Sequence, residues 1–134
     1  MKAKIAINGF GRIGRMVFRK MMSEDSVELV AVNASYPSET LAHLIKYDTN
    51  HGNYRVNEIS FEGNFIIVGD RRIRVYSETD PSNLPWGELN IDEVFECTGR
   101  FTKEEDAKKH LEAGAKKVII SAPAKGNVKT IVYN

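Results

Sequence analysis

An apolar run followed by three spaced glycines stands near the start of the chain, in Lys4-Ile5-Ala6-Ile7-Asn8-Gly9-Phe10-Gly11-Arg12-Ile13-Gly14. The first half of this stretch is short, apolar and ends at a glycine, which predicts a buried strand over residues 3–8. The three glycines then follow the pattern Gly-x-Gly-x-x-Gly. The pattern alone is weak, but between a predicted strand and a predicted helix it indicates a turn that holds the pyrophosphate of a dinucleotide.

Each glycine of the turn has a separate expected task. Gly9 permits the tight turn, Gly11 lets a pyrophosphate approach the backbone, and Gly14 lets the helix pack close to the sheet. The free amides of Arg12 and Ile13 then face the phosphates at the favourable end of the helix dipole. The alternative is a tight strand-to-helix turn without a ligand, although three spaced glycines are more than such a turn requires.

Apolar spacing predicts an amphipathic helix over residues 11–22, with Ile13, Met16, Val17 and Met21 facing inward. A second helix is predicted over residues 38–46, with Leu41, Leu44 and Ile45 inward. A third begins with a capping box at residues 102–105 and stops near Gly114. Further strands are predicted at residues 27–33, 93–97, 118–120 and 130–133, and a hairpin at residues 66–68 and 73–75.

Strands that alternate with helices indicate an α/β fold of the Rossmann type, with a doubly wound and mostly parallel sheet. The hairpin turns at Gly69-Asp70 and interrupts this rhythm. We therefore expect it to be a small antiparallel insertion.

The end of the second strand bears on the choice of cofactor. Dinucleotide-binding domains usually carry an acidic residue there, which binds the ribose hydroxyls. This chain has Asn33, Ala34 and Ser35, and the next acidic residue along the chain is Glu39 in the following helix. Without a carboxylate, nothing at this strand end repels the 2′-phosphate of NADP, and Ser35 could donate a hydrogen bond to it. The alternative is that Ala34 only weakens NAD binding without favouring NADP, so the cofactor is predicted to be NAD or NADP.

Length and composition describe one ordinary globular domain over residues 1–134. The net charge of +1 does not indicate the excess of basic residues that is typical of proteins that bind nucleic acid or an anionic membrane. No apolar run approaches the roughly 20 residues of a membrane span. One cysteine cannot form an internal disulfide, so a cytoplasmic location is expected.

The isolated cysteine and histidines are expected to be structural. Cys97 ends a predicted buried strand and has no histidine nearby in sequence, so we interpret it as a small packed residue rather than a nucleophile. His43 and His110 lie on predicted helices and are expected at the surface or its boundary. His51 is interpreted as a residue that orders its loop, with a direct site role as the alternative. These residues have no metal-ligand spacing.

Several collinear blocks along the chain resemble glyceraldehyde-3-phosphate dehydrogenase. The blocks are residues 4–15 around the glycine turn, residues 41–52 (Leu-Ala-His-Leu-Ile-Lys-Tyr-Asp-Thr-Asn-His-Gly), Asp80-Pro81, Leu84-Pro85-Trp86, residues 96–101 (Glu-Cys-Thr-Gly-Arg-Phe) and residues 114–123 (Gly-Ala-Lys-Lys-Val-Ile-Ile-Ser-Ala-Pro). Because they span the whole chain, this resemblance is far more specific than the glycine pattern.

The resemblance implies positions for the cofactor. It places the backbone amides of Arg12 and Ile13 at the pyrophosphate, and Asn33 and Ala34 by the adenosine ribose. The remaining implied contacts are Thr98, Gly99 and Phe101 on the adenine side and Ser121 toward the nicotinamide.

Two positions depart from the family pattern. The family usually has aspartate where this chain has Ala34, and the run from Asn33 to Tyr36 resembles the gluconeogenic branch that works with NADP. Thr79 stands where many members carry an arginine near the adenine, which puts that adenine contact in doubt.

The resemblance further implies a two-domain enzyme that is usually a homotetramer. Its catalytic cysteine lies in a Ser-Cys-Thr-Thr-Asn motif beyond the cofactor domain, and this chain has no such motif. We therefore expect a cofactor half, inactive alone, whose partner is the absent catalytic domain. Because the chain ends at the predicted apolar strand 130–133, with no polar tail or capping helix, it is expected to be a truncated product. The alternatives are the cofactor half of an erythrose-4-phosphate dehydrogenase and a stand-alone, non-catalytic nucleotide-binding module.

Overall fold

The computed structural model describes residues 2–47, 58–98, 104–124 and 127–133. Their elements, in chain order, are β1 (Ala3–Asn8), α1 (Arg12–Ser23), β2 (Val27–Asn33), α2 (Ser38–Lys46), β3 (Ile59–Glu62), β4 (Phe65–Val68), β5 (Arg71–Tyr76), a 3-10 turn (Pro81–Asn83), β6 (Glu93–Glu96), α3 (Glu104–Glu112), β7 (Lys117–Ala124) and β8 (Asn127–Tyr133). None of the helices in these ranges is long and apolar enough to cross a membrane.

The described strands form one eight-stranded sheet in the order β3-β4-β5-β2-β1-β6-β7-β8. Neighbouring strands from β5 to β7 run parallel. At the two edges, β3 and β4 pair antiparallel beside β5, and β8 pairs antiparallel with β7. The predicted α/β fold with a mostly parallel sheet is therefore confirmed.

The two faces of the sheet carry different helices. Ile5 and Ile7 of β1 belong to the core beneath α1 and α2, whereas Ala6 between them faces a second core around Trp86. On that second face, α3 packs against Val118 and Ile120 of β7. Because side chains alternate along a strand, each central strand is buried on both sides, as expected for a doubly wound sheet.

The predicted antiparallel hairpin is present and is formed by β4 and β5. Its turn lies at Gly69, which has a φ of 62° that glycine adopts without strain. Its second strand, β5, also pairs in parallel with β2, and so it belongs to the main sheet. On this side of the sheet, the described strands β3 and β4 pair solely antiparallel, whereas β5 pairs antiparallel with β4 on one edge and parallel with β2 on the other.

The inward face of α1 also differs from the prediction. Met21 is buried as expected, but Met16 is 42% exposed, while Phe18 is completely buried. The buried stripe runs through Gly14, Phe18, Met21 and Met22. Gly14 sets this stripe, because its missing side chain lets that side of the helix touch the sheet, and residues four, seven and eight positions later follow on the same face.

The other two helices follow the prediction more closely. In α2, Leu41 and Ile45 are buried as expected, and Leu44 is partly buried. The turn after α3 is closed at Gly114, which has a φ of 114°. There the amide of Ala115 donates to the carbonyl of His110 over 3.1 Å, as in a helix end capped by glycine. Residues 102 and 103 of the predicted capping box lie outside the described residues.

Candidate functional site

The site is built where the central parallel strands end together. Asn8, the last residue of β1, is in register with Asn33 at the end of β2 and with Glu96 at the end of β6. Ligands of open α/β sheets bind at this carboxyl edge, where the strand order reverses. Here the reversal lies at β1, whose neighbours β2 and β6 lead to opposite halves of the sheet.

The glycine turn joins β1 to α1 at this edge. Gly9 has a φ of 96°, and a β-carbon there would lie 2.6 Å from Thr98 Cγ2. A β-carbon at Gly14 would lie 2.1 Å from the carbonyl oxygen of Gly9. Both glycines are therefore required by the protein's own packing. At Gly11, by contrast, a β-carbon would meet nothing within 4 Å.

The first turn of α1 offers amides and no acid. Gly11 is the N-cap, has no side chain with which to cap, and has a φ of −80° that any residue can adopt. The first turn carries no acidic residue. The amides that precede the first helical hydrogen bond, from Arg15 to the Gly11 carbonyl, point out of the helix end and favour an anion.

Phe10 anchors the turn between its outer glycines. Its ring is buried and meets Phe18 edge-on, with ring centroids 5.6 Å apart. The Arg15 guanidinium donates to the Phe10 carbonyl over 3.2 Å. The backbone of the turn is thus held from the helix side.

At the end of β2, only one of the three predicted ribose-side residues exposes its side chain. Asn33 and Ala34 are buried, while Ser35 is exposed. The Asn33 amide is used internally, because its Oδ1 accepts from the Glu78 amide and its Nδ2 donates to the Glu78 carbonyl, both over 2.8 Å. These bonds tie the end of β2 to the loop that carries Thr79, whose side chain is exposed.

The remaining predicted residues lie around the same edge. Thr98 follows β6 and packs against Gly9. Ser121 is buried in β7, one residue beyond Ile120, which is in register with Glu96. Gly99 and Phe101 lie outside the described residues, as does His51. The edge therefore gathers the described site residues from β1, β2, β6, β7 and the loop after β5.

A buried carboxylate beneath the turn was not predicted from the sequence. Glu96 is 1% exposed and receives hydrogen bonds from three residues. Its Oε1 accepts from Asn8 Nδ2 and from His110 Nε2, the latter over 2.9 Å. Its Oε2 accepts from the amide and hydroxyl of Thr98 over 2.9 and 2.6 Å. The available signal was a charged residue directly after the apolar pair Val94-Phe95, at the end of a predicted buried strand, where a carboxylate requires partners.

The predicted surface location of His110 is wrong. Its side chain is completely buried, since it lies on the inward side of α3 one turn after the buried Ala107. Both ring nitrogens have partners: Nε2 meets Glu96, and Nδ1 accepts from Trp86 Nε1 over 3.0 Å. A histidine can be buried at low cost when both nitrogens are hydrogen-bonded. His43 is exposed, as predicted.

Cys97 is a packed residue, as predicted. Cys97 is 7% exposed and lies under α1, where a β-carbon added at Gly14 would be 3.7 Å from the Cβ of Cys97. Burial, together with the neighbouring Glu96 carboxylate, raises the pKa of its thiol to about 12. Because the thiolate is the nucleophilic form, this thiol is inert near neutral pH.

A family model described as glyceraldehyde 3-phosphate dehydrogenase, NAD binding domain, matches residues 3–104. The match includes the glycine turn and both sides of the site as far as Thr98. The chain therefore belongs to the glyceraldehyde-3-phosphate dehydrogenase family, as its NAD-binding domain. The resemblance inferred from the sequence is confirmed.

Curated members of the glyceraldehyde-3-phosphate dehydrogenase family align with nearly the whole chain. The enzyme of Geobacillus stearothermophilus is 58% identical over 98% of this chain, and that of Mycoplasma pneumoniae is 54% identical over the same share. Glyceraldehyde-3-phosphate dehydrogenase 2 of Bacillus subtilis is also 54% identical. The chain spans about two fifths of the length of these relatives, 38–39%, and corresponds to their cofactor half.

Proposed function

We propose that this chain binds NAD or NADP at the carboxyl edge of its sheet, with the pyrophosphate over Gly11 and the first turn of α1. The observation that carries the proposal is the difference among the three glycines. Packing and backbone conformation account for Gly9 and Gly14, but neither accounts for Gly11, which has open space and an ordinary φ. A ligand that must approach the backbone closely supplies the missing reason.

The free amides of α1 support the same position for the pyrophosphate. A phosphate there accepts hydrogen bonds from Arg12 and Ile13 and interacts with the positive end of the helix dipole. Arg12 is exposed at this end and adds a positive charge. The absence of an acid from the first turn removes a competitor for these amides.

The ribose side supports tolerance of NADP. Ala34 presents no carboxylate at the end of β2, and the exposed Ser35 hydroxyl beside it is a donor for a 2′-phosphate. The fold also brings an acidic residue that is distant in sequence, Glu78, against Asn33. Its side chain accepts from the Asp80 amide over 3.1 Å, which engages it within its own loop.

The wider proposal is that the chain supplies the cofactor half of a phosphorylating glyceraldehyde-3-phosphate dehydrogenase. Oxidation of an aldehyde through a thioester needs a thiolate nucleophile. Cys97 is the only cysteine of the chain, and its buried thiol does not ionise near neutral pH. The nucleophile must then come from a second domain, so we expect the 134-residue chain to bind the cofactor without oxidising an aldehyde.

Calorimetric titration of the purified chain with NAD and with NADP, at one salt concentration, tests the proposal. Saturable one-to-one binding of at least one of them is expected. Comparable or tighter binding of NADP supports the interpretation of Ala34, whereas a clear preference for NAD contradicts that part alone. If neither binds, the proposed function of this chain is wrong.

A further inference from the structure

We propose that Glu96 is a positioning residue for the dinucleotide site, which fixes the glycine turn from below without touching the ligand. This inference rests on the proposed function. Glu96 binds Thr98, whose backbone and methyl group lie against Gly9, and Asn8, which immediately precedes Gly9. The carboxylate therefore joins the two backbone segments that meet at the turn.

One end of this network is set by Trp86. An indole nitrogen can only donate, so His110 Nδ1 must accept the hydrogen bond from Trp86 Nε1. The ring hydrogen of His110 then lies on Nε2 and is donated to Glu96 Oε1 over 2.9 Å. The tautomer of His110 is thereby fixed by Trp86, because an indole N–H cannot become an acceptor.

The opposite end is set by the backbone of Glu78. Its amide donates to Asn33 Oδ1, so the Nδ2 of Asn33 points toward Asn8 and donates to Asn8 Oδ1 over 2.7 Å. The Asn8 amide is oriented in turn, and its Nδ2 donates to Glu96 Oε1. The orientation of each amide follows from the one before it, starting at a backbone N–H.

All of these donors converge on one carboxylate. The third irreversible donor is the backbone amide of Thr98, which donates to Glu96 Oε2 over 2.9 Å. Both oxygens of Glu96 accept these hydrogen bonds, whereas a glutamine would present a donor to Thr98 or to the pair of Asn8 and His110. Glu96→Gln keeps the size of the side chain and breaks the network at one of the two oxygens where the donors converge.

The consequence for binding is a loss of preorganisation. The network ties together the ends of β1, β2 and β6 and the loop after β5, the segments that surround the proposed ligand. When the glutamine of Glu96→Gln turns its NH2 group toward the Thr98 amide, two donors face each other. Thr98 then moves away from residue 96 and no longer holds the backbone beside Gly9. The ligand must then restore the geometry on binding, which lowers its affinity.

The test compares dinucleotide affinity and the exchange rate of the Thr98 amide hydrogen in four variants. Glu96→Gln is expected to bind about tenfold more weakly, in line with one unsatisfied buried donor, and to exchange the Thr98 amide faster. Val68→Ala is the control, because Val68 is buried opposite the first residue of β5, at the other edge of the sheet from the carboxyl ends of the parallel strands. It should lower stability and leave affinity and exchange at Thr98 unchanged.

A pair of variants at position 110 separates positioning from packing. His110→Leu removes both hydrogen bonds, whereas a glutamine at 110 carries one donor for Glu96 and one acceptor for Trp86. His110→Gln should therefore recover part of the affinity that His110→Leu loses, even if Glu96→Gln does not fold. Affinities equal to that of the unsubstituted chain in Glu96→Gln, or equal affinities in the two position-110 variants, would overturn this assignment alone. Absence of binding by the unsubstituted chain would overturn the proposed function and this assignment together.

Discussion

Gly14 of α1 lies directly against the carbonyl oxygen of Gly9, so closely that a β-carbon at position 14 would be 2.1 Å from that oxygen. The opposing atom belongs to the backbone and cannot rotate away. Gly14→Ala should therefore displace the helix from the turn and lower the free energy of unfolding by about 1–3 kcal/mol, the range typical of overpacking.

Urea unfolding followed by circular dichroism measures this effect. Gly87→Ala is the control, because a β-carbon there would make only ordinary contacts, at 3.5 Å from the Ala113 carbonyl oxygen. Its stability should stay within about 0.5 kcal/mol of the unsubstituted chain. Equal stability of the two variants would show that the helix does not pack on the turn as described.

Ala34→Asp should change the preference between the two cofactors. A carboxylate at the end of β2 repels the 2′-phosphate of NADP and can accept hydrogen bonds from the ribose hydroxyls of NAD. We expect NADP affinity to fall at least about tenfold, because opposed like charges at a binding interface cost several kcal/mol. NAD affinity should be retained or improved.

The comparison variant is Ala34→Asn, which has the same size and no charge. Calorimetry of both variants with both cofactors isolates the effect of the carboxylate. If the two variants bind NADP equally well, charge at position 34 does not control cofactor choice.

The Cys97 thiol should make folding stability depend on pH in the alkaline range. Its pKa is raised from 9.0 to about 12 in the folded chain, so between these values the unfolded chain ionises while the folded chain keeps its proton. Stability should therefore fall as the pH rises above about 9. Cys97→Ser removes this thiol, and its unfolding free energy should show a smaller alkaline decline; identical declines would argue against the buried thiol as the cause.

The Asp92 carboxylate should make folding stability depend on pH in the acidic range. Its Oδ2 accepts from the Lys4 amide over 2.8 Å and its Oδ1 meets Lys116 Nζ at 3.1 Å. The hydrogen bond from the Lys4 amide is the main reason that its pKa lies below 3.8, with Lys116 adding to the effect. The stabilisation of the folded chain by Asp92 is fully present above pH 3.8, the ordinary pKa of aspartate, and is lost as the pH falls through the lowered pKa of the folded chain.

Unfolding measured between pH 2 and 6 tests this contribution. Asp92→Asn should reduce the steepness of the acid limb, because the asparagine keeps an acceptor for Lys4 and does not titrate. An unchanged acid limb in Asp92→Asn would assign the pH dependence to other carboxylates.

The parts of the fold that depend on local pattern could be predicted from the sequence. The strand, turn and helix around Gly9 and Gly11 follow from glycine spacing and short-range periodicity, which do not depend on the rest of the chain. The turn at Gly69 is equally local, since glycine adopts its φ of 62° without strain.

What could not be predicted depends on residues far apart in sequence. His110 looks like a surface histidine until β6 brings Glu96 against it, 14 positions earlier in the chain, and Trp86 supplies its second partner. The inward face of α1 was misassigned because Met16 and Phe18 both suit helical periodicity, and close packing at Gly14 chooses between them. The sequence shows Asn8, Asn33 and Glu96 at the ends of predicted strands, but the hydrogen bonds among them form only when the strands assemble into the sheet.

The proposed position of the pyrophosphate over Gly11 is tested by comparing dinucleotide binding by the unsubstituted chain and by Gly11→Ser, using calorimetry alongside urea unfolding. Serine is a favoured N-cap residue and has open space at this position. We therefore expect stability to be unchanged or slightly raised, while the new side chain occupies the space of the pyrophosphate and competes for its amides, so that affinity for NAD and NADP falls by tenfold or more, on the order of one or two lost hydrogen bonds to a charged group. Equal affinity of the two proteins for both cofactors would contradict a pyrophosphate site over Gly11.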